Sequence, residues 1–564
     1  MDKVIQTYVD FADRPAFIRA LEIFPGAVTW LFIFSPILLS LVQPIVVAYF
    51  IIAFDLVWLI KSFRLSYCLI RGYSRLHQAE KIDWFKRMRQ LNKLDSSIEE
   101  AEEDLEQWLQ TYPKSLSIFR FSKTARDQHR EYIRLAGELR RLKDLAKHSK
   151  LIRDPKHIYN VVIIATYNES IDILEPSIKA LLEINYPLKQ MMLVIAYEER
   201  GGSETESNVK ALIAKYGHHF AHANSVKHPD GLPGEVRGKG GNISYAARQL
   251  TKEILDKDID PNDVIITTFD SDHRPHKNYF SYLTYEYAID PNRKYKSFQP
   301  IPMFYNNIWD VPAPMRVIAT GNSFWTIIET MRPHRLRNFA AHAQGLQTLI
   351  DTDYWSTTSI VEDGHQFWRT YFTYDGNHHV VPLYVPVFQD AVLADGYVNT
   401  FKVQYLQLRR WAWGVSDFPY VVRQSMKNRR IALGDKLAHI WRLFEGHFSL
   451  ATAPLVLTFV AWLPLYLNRR FADQLLAHQL PIIASRIMNL AMLGIIITVI
   501  ISLISLPPRP ARYKRSKFIF MMLQWLLLPF IALIFSATVA IDAQTRLMIG
   551  KYLDFRVTDK ATKK

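Results

Sequence analysis

Two carboxylates, Asp270 and Asp272, follow directly on the apolar run Val264–Phe269. An Asp-x-Asp at the rim of a buried strand suits a divalent cation such as Mg²⁺ or Mn²⁺, which is held by one or two carboxylates plus substrate phosphates. Such a cation would neutralise a leaving diphosphate. A second acidic pair, Glu362-Asp363, lies about ninety residues on. Group transfer to a hydroxyl needs a base for its proton, and Asp363 is the candidate, with Glu362 orienting it or capping the helix that opens at Gly364. A third cluster, Gln407-Leu408-Arg409-Arg410-Trp411, joins forked cations suited to phosphate with an indole suited to a sugar face or a headgroup layer. Alone, each has a bland explanation in turns, caps or an interfacial helix. Their order along the chain raises them above it. His273 and His276 follow the first pair and are read as loop histidines without a ligand role.

Elements must bring these clusters together. Between residues 157 and 400 strand-like apolar runs alternate with helical stretches, which predicts an α/β fold with a mostly parallel, doubly wound sheet. Such sheets bind ligands at the carboxyl ends of their strands. Polar residues stand at those ends: Thr166-Tyr167-Asn168-Glu169 after Val161–Ala165, Tyr197-Glu198-Glu199 after Met191–Ala196, and the Asp270 pair.

The flanks are of another material. The mean hydropathy of −0.05 averages very apolar segments with a highly charged one. Phe24–Ile60 is nearly free of charge and reads as two membrane spans turning near Gln43-Pro44, since a span takes about 20 residues. Phe448–Leu467, Ile482–Leu506 and Phe518–Ile541 read as about three more. The net charge of +15 invites a nucleic-acid reading, but many cations border the apolar segments, as at Lys61, Arg64, Arg71 and Arg509–Lys517. Cytoplasmic flanks and anionic membrane lipids explain those better, and no groove-reading module is present, so no nucleic acid is expected. One cysteine, Cys68, excludes an internal disulfide and a cysteine zinc site. The expected organisation is a leader (1–23), two spans (24–62), a charged cytoplasmic helical hairpin (63–155), the α/β domain (156–400), interfacial helices (401–446), three spans (447–545) and a basic tail (546–564). Odd spans would leave that tail outside, against its lysines. Either the last span, carrying Pro529, re-enters, or the count is off by one.

Taken together, the motifs resemble those of membrane-integrated family 2 glycosyltransferases with a GT-A catalytic domain, the group of the cellulose and hyaluronan synthases. The resemblance covers roughly residues 155–420. It rests on Tyr167-Asn168-Glu169, Asp270-x-Asp272, Val361-Glu362-Asp363 and Gln407-x-x-Arg410-Trp411, with Gly238-Lys239-Gly240-Gly241-Asn242 similar to the family's lysine segment near the diphosphate. It implies inverting transfer from a nucleotide-diphosphate sugar, a UDP-sugar being favoured, to a growing polysaccharide. Asp363 and Glu362 are then catalytic, and Asp270 and Asp272 hold the metal. Thr166, Tyr167, Glu169, Glu198, Lys239, Asp270, Gln407 and Arg410 contact the nucleotide sugar. Trp411 and an acceptor-side turn at Gly321-Asn322-Ser323, through Gly321 and Ser323, contact a glycan or lipid-linked acceptor. The implied location is the cell membrane, multi-pass, with the catalytic domain cytoplasmic. Two departures stand out: Glu198 where relatives place a base-contacting aspartate, and Val361 in place of a threonine. Single-sugar transfer to a lipid or glycan is the alternative. A non-catalytic scaffold recruiting a protein partner through residues 77–150 is the alternative of another class.

Overall fold

The computed structural model describes residues 15–112 and 123–553; most of the expected leader and most of the basic tail lie outside the described residues. The chain opens with α1 (Ala16–Val42) and α2 (Pro44–Lys81), an apolar hairpin turning at Gln43-Pro44. Pro44 occupies the first helical position of α2, where the missing N–H has no intrahelical partner to lose. Then come α3 (Trp84–Gln90) and the charged pair α4 (Leu94–Thr111) and α5 (Lys123–Ala146). This arm is fastened to the next domain by aromatic contact. Trp84 lies 3.6 Å, centroid to centroid, over Tyr282 and donates its indole N–H to the Ala79 carbonyl at 2.8 Å.

Among the described residues, eight strands form one sheet in the order β3-β2-β1-β4-β7-β6-β8-β5. They are β1 (Tyr159–Thr166), β2 (Met191–Glu198), β3 (His222–His228), β4 (Val264–Asp270), β5 (Arg274–Pro275), β6 (Lys296–Met303), β7 (Ala343–Gly345) and β8 (His379–Phe388). β1 to β4 are parallel to one another, as the alternating pattern predicts; β7 runs antiparallel to both β4 and β6 and makes the sheet mixed. Side chains alternate between the faces. Val162 and Ile164 of β1 pack with α6 (Ile171–Leu182), α7 (Gly202–Tyr216) and α9 (Tyr279–Ile289), whereas Val161 and Ile163 pack under α8 (Lys239–Asp256) and α11 (Leu346–Asp351). This doubly covered α/β sheet with apolar helical flanks is the predicted fold class. Between β6 and β7 lies α10 (Ala313–Thr330); α12 (Glu362–Thr373) precedes β8; α13 (Tyr397–Ala412), α14 (Asp417–Lys427) and α15 (Leu433–Phe459) follow it.

Among the described residues, five helical segments are long and apolar enough to cross a membrane: Ala16–Val42, Pro44–Lys81, Leu433–Leu467, Leu475–Ile504 and Lys517–Ile549. The last is irregular, with a 3₁₀ turn at Gln524–Leu527, Pro529, and a π turn at Leu533–Ala537. Its two ends both touch the α/β side of the molecule. Near its start Lys517 bonds the Trp309 carbonyl and Gln524 accepts from Arg316 at 2.8 Å; near its end Asp542 pairs with Arg409 at 2.9 Å.

Burial also fixes a pH response. Burial first, with Lys277 adding to it, pushes His276 down to about 4. Burial, only partly offset by the Tyr295 carbonyl, pushes His378 down to about 3. The unfolded chain takes up these protons as pH falls through about 6.5, before the folded chain does, so stability is present above that pH and is lost below it. Each histidine is expected to cost about 1–2 kcal/mol between pH 6.5 and 5. A melting temperature that is unchanged from pH 7 to pH 5 would contradict this.

Candidate active site

The strand ends are braced before any ligand is considered. At the end of β1 the Glu169 carboxylate accepts from the Thr166 hydroxyl at 2.7 Å and from the Tyr167 amide at 2.8 Å, closing a tight loop. Asn242, buried in the first turn of α8, donates to the carbonyls of Ala196 at 2.9 Å and Thr166 at 3.4 Å, so one amide pins the ends of β1 and β2. Glu198, at the end of β2, is buried against Arg200, whose guanidinium lies 4.4 Å from the Tyr167 ring centroid. Thr166, Tyr167, Glu169 and Glu198 thus form one rim, with the two carboxylates engaged by chain neighbours.

Lys239, the first residue of α8, organises the acids. Its ammonium lies 2.8 Å from Asp270, 3.9 Å from Asp363 and 4.0 Å from Glu362. This convergence needs Gly240: a Cβ there would come within 2.2 Å of the Ser356 carbonyl oxygen, so only glycine lets the start of α8 approach the segment leading into α12. Burial works against the charge on Lys239, but Asp270, Asp363 and Glu362 together outweigh it and raise its pKa. Asp363 is also pushed up by burial; the Lys239 cation and the hydrogen bond from His342 overcome that and hold it below the usual carboxylate range. Glu362 goes the other way, raised first by burial and then by the charge of Asp363, to about 8. The two neighbours are thus pushed in opposite directions, Asp363 towards its ionised form and Glu362 towards its protonated form. That split is how adjacent carboxyls take different roles.

The Asp-x-Asp pair sits at the open end of β4. The Asp270 side chain is 39% exposed, while Asp272 is 4% exposed and accepts from the Asp390 amide at 2.8 Å. Potential ligand atoms of Asp270, Asp272 and His273 lie within 4.8 Å of one another. His273 accepts the Asp270 amide N–H on Nδ1 at 3.1 Å, which leaves the proton on Nε2, 3.4 Å from Asp270 Oδ2. A protonated nitrogen is a donor and no ligand, so the donor set for a cation is oxygen. Two carboxylates on a rim fit a hard cation such as Mg²⁺ or Mn²⁺.

The third cluster lies on α13. Arg410 is near enough to Glu362 to act on its charge. Gln407 accepts from Gln404 at 3.1 Å, and Trp411, 38% exposed, is 6.2 Å from Phe304 between ring centroids. The neighbouring Arg409 faces away, towards Asp542. A buried pair, His365 to Asp417 at 2.6 Å, ties α12 to α14, the helix that follows the Gln-x-x-Arg-Trp segment of α13.

One expected feature is corrected. Gly321-Asn322-Ser323 is no turn; it lies within α10. The Ser323 hydroxyl is fully buried, accepts the Phe304 amide at 3.3 Å and donates to the Ala319 carbonyl at 3.2 Å. Gly321 lies on the same helix with open space about its Cα.

Sequence reasoning missed His342 and Trp355. His342 is fully buried; the Trp355 indole N–H donates to its Nε2 at 3.0 Å, which puts the ring proton on Nδ1. That proton bonds the Phe339 carbonyl at 2.9 Å, and Asp363 Oδ1 stands 3.3 Å from the same nitrogen. The tautomer is therefore set by a tryptophan, and the candidate base is oriented by a neutral imidazole. No local spacing could have found a histidine twenty-one residues before its carboxylate.

No protein-family model matches the chain, and no curated protein sequence matches it. Solved structures similar to it include a mannosyltransferase from Pyrobaculum calidifontis, PcManGT, in complex with GDP-Man and Mn²⁺. That likeness is 12% identical, covers 86% of this chain and 100% of that one, and has a TM-score of 0.41. Residues 1–349 of S. aureus TarS with UDP-GlcNAc are 14% identical over 71% of this chain and 95% of that one, at a TM-score of 0.33. GalNAc-T7 with UDP, GalNAc and Mn²⁺ is 9% identical over 52% and 58%, at 0.30.

Proposed function

We propose that the chain is an inverting, metal-dependent membrane glycosyltransferase that moves a sugar from a nucleotide-diphosphate donor onto a growing polysaccharide. The observation that carries this reading is the convergence of an ionised, oriented Asp363 with Lys239 and Asp270 at the open end of β4, beside Arg410.

Asp363 takes the proton of the acceptor hydroxyl as its oxygen forms a bond to the anomeric carbon. The bond from that carbon to the diphosphate breaks in the same displacement, so configuration inverts. A divalent cation on Asp270 and Asp272 would supply neutralisation of the leaving diphosphate. Arg410 and Lys239 add fixed positive charge on the same side. His342 keeps the receiving carboxylate oxygen in place, and the protonated Glu362 avoids a second negative charge beside it. Trp411 offers an exposed indole to the acceptor sugar.

Residues 156–400 form the catalytic unit in this reading, facing the cytoplasm, and 401–446 connect it to the bilayer. We further assign four crossings to the apolar segments, with Lys517–Ile549 entering and leaving on the catalytic side because both its ends bond there. That arrangement returns the basic tail to the cytoplasm. Reporter fusions after Pro508 and after Lys564 should then report the same side; opposite sides would require a fifth crossing.

The reaction is tested by screening UDP- and GDP-sugars with purified protein in nanodiscs, reading product mass. Sugar transfer is expected with Mn²⁺ or Mg²⁺, lost with EDTA and lost in Asp272→Asn at unchanged melting temperature. A ladder of masses supports polymer growth, and a single added sugar supports the alternative. Undiminished transfer in EDTA by the Asp272→Asn protein would overturn the metal-dependent mechanism.

A further inference from the structure

The segment after α10, Met331-Arg332-Pro333-His334-Arg335-Leu336-Arg337, carries three arginines against the membrane-proximal stretches of α2 and α15. The end of α10 lies directly on α2: a Cβ at Gly72 would come within 2.6 Å of Ile327 and 3.3 Å of Met331. Counting back along α2 by helical turns gives Cys68, Arg64 and Lys61, the last two standing just after the charge-free run that ends at Ile60. From α15 come Arg442 and Glu445, just before the apolar run that begins at Phe448.

Six cations therefore gather where two apolar helices meet the catalytic domain: Lys61, Arg64, Arg332, Arg335, Arg337 and Arg442. Among the described residues two carboxylates answer them. Glu445 bridges Lys61 at 2.8 Å and Arg335 at 3.2 Å, and Glu329 pairs with Arg332. Arg337 bonds the Leu336 carbonyl and His439 Nδ1, and Arg442 bonds the His334 carbonyl, neither with an ion pair. Arg335 and Arg64 both act on Arg332 as like charges.

Ordinary flanking cations stand free in water, and Arg332 does not. It is 8% exposed, its Nε–H has no hydrogen-bond partner, and its guanidinium is 5.5 Å from the ring centroid of Trp325. A buried guanidinium N–H without an acceptor costs stability unless an acceptor arrives from outside. Trp325 beside it, and Trp441 and Phe63 on the adjoining stretches of α15 and α2, are 47%, 62% and 50% exposed, as aromatic side chains are where they border a bilayer at headgroup depth.

We propose that this cation cluster binds the phosphate of an anionic phospholipid from the leaflet facing the catalytic domain, held between Arg332, Arg335 and Arg64 and bordered by Trp325. A phosphodiester supplies the acceptor oxygens that the guanidinium forks lack and neutralises part of the cation excess. The acyl chains would run along the apolar faces of α2 and α15. The assignment depends on the apolar helices lying in a bilayer and is independent of sugar transfer, so either can fail without the other.

The test is native mass spectrometry of the detergent-purified full chain with phosphatidylglycerol, phosphatidylcholine or inorganic phosphate added. One tightly retained phosphatidylglycerol is expected, in preference to phosphatidylcholine and undisturbed by excess inorganic phosphate. Arg64→Gln with Arg442→Gln, neither in an ion pair, should weaken retention about thirtyfold, from the loss of two cations near the surface. Lys252→Gln with Lys257→Gln removes the same charge from the catalytic domain and should change nothing. Should the first double variant fail to fold, Arg64→Gln alone is expected to weaken retention about fivefold. Equal loss in both double variants, equal retention of the two lipids, or displacement by inorganic phosphate would each overturn the proposal.

Discussion

Asp363→Asn is expected to cut the rate of sugar transfer by about 10²- to 10⁴-fold, the range that a positioned general base contributes. The amide is close to the carboxylate in shape, and its oxygen can keep the place 3.3 Å from His342 Nδ1 that Asp363 Oδ1 now holds. What it cannot do is take a proton from the acceptor. Donor affinity should change little, because Lys239 retains Asp270 at 2.8 Å and the candidate metal-holding carboxylates Asp270 and Asp272 are untouched. The signature is thus a fall in kcat at nearly constant KM for the donor and an unaltered melting temperature, read by single-turnover transfer with labelled donor. Full activity in this variant would remove Asp363 from the chemistry.

Lys239→Met is expected to produce the largest loss of stability from a single substitution in the site, about 3–5 kcal/mol, the usual cost of deleting one partner of a buried charge set. Three carboxyl groups within 4.0 Å of its ammonium then lack their shared cation. The sign with pH follows. Removing the cation raises the folded-state pKa values of Asp270, Glu362 and Asp363 above those of the unfolded chain, so the folded state binds the extra protons. The variant should therefore be relatively more stable as pH is lowered and less stable as pH rises through those raised values. Mn²⁺ or Mg²⁺ should restore part of the melting temperature, by returning positive charge to Asp270 and Asp272. A melting temperature equal to that of the unaltered protein at pH 7 would show that Lys239 does not neutralise these acids.

Much of this site is legible before any coordinates. Asp-x-Asp after a run of buried residues is readable because a strand end in a parallel sheet is where ligands gather. Glu362-Asp363 is readable as lying near a helix start, but α12 begins at Glu362 itself, two residues before Gly364, with Val361 at the cap. The hairpin turn at Gln43-Pro44 is readable because proline is favoured where a helix begins. The second half of the sheet is not. β6 carries Pro300 and Pro302, and β8 carries Pro382 and Pro386, which count against strands on local grounds. They pair in parallel all the same, with a register shift between Gln299 and Ile301, and Gln299 makes the bonds that the proline backbone cannot. Its side chain donates to the Ala340 carbonyl at 3.1 Å and accepts the Phe339 amide at 2.7 Å.

The sequence by itself determined the materials: two apolar blocks, a charged arm, an α/β pattern, and three clusters with the right chemistry in one order. Those properties are local, set by hydropathy, periodicity and residue type, and they survive without knowing what touches what. Tertiary structure alone decided in which direction each acid is pushed. Lys239 stands 124 residues before Asp363, and His342 and Trp355 precede it by unpatterned spacings; only the approach allowed at Gly240 and the burial around α12 bring them into one electrostatic set. The side of the molecule reached by Asp542, and the burial of Ser323 within α10, are likewise products of packing. A charge acquires its pKa, and a hydroxyl its partner, from neighbours distant in the chain, and that is information no window of sequence contains.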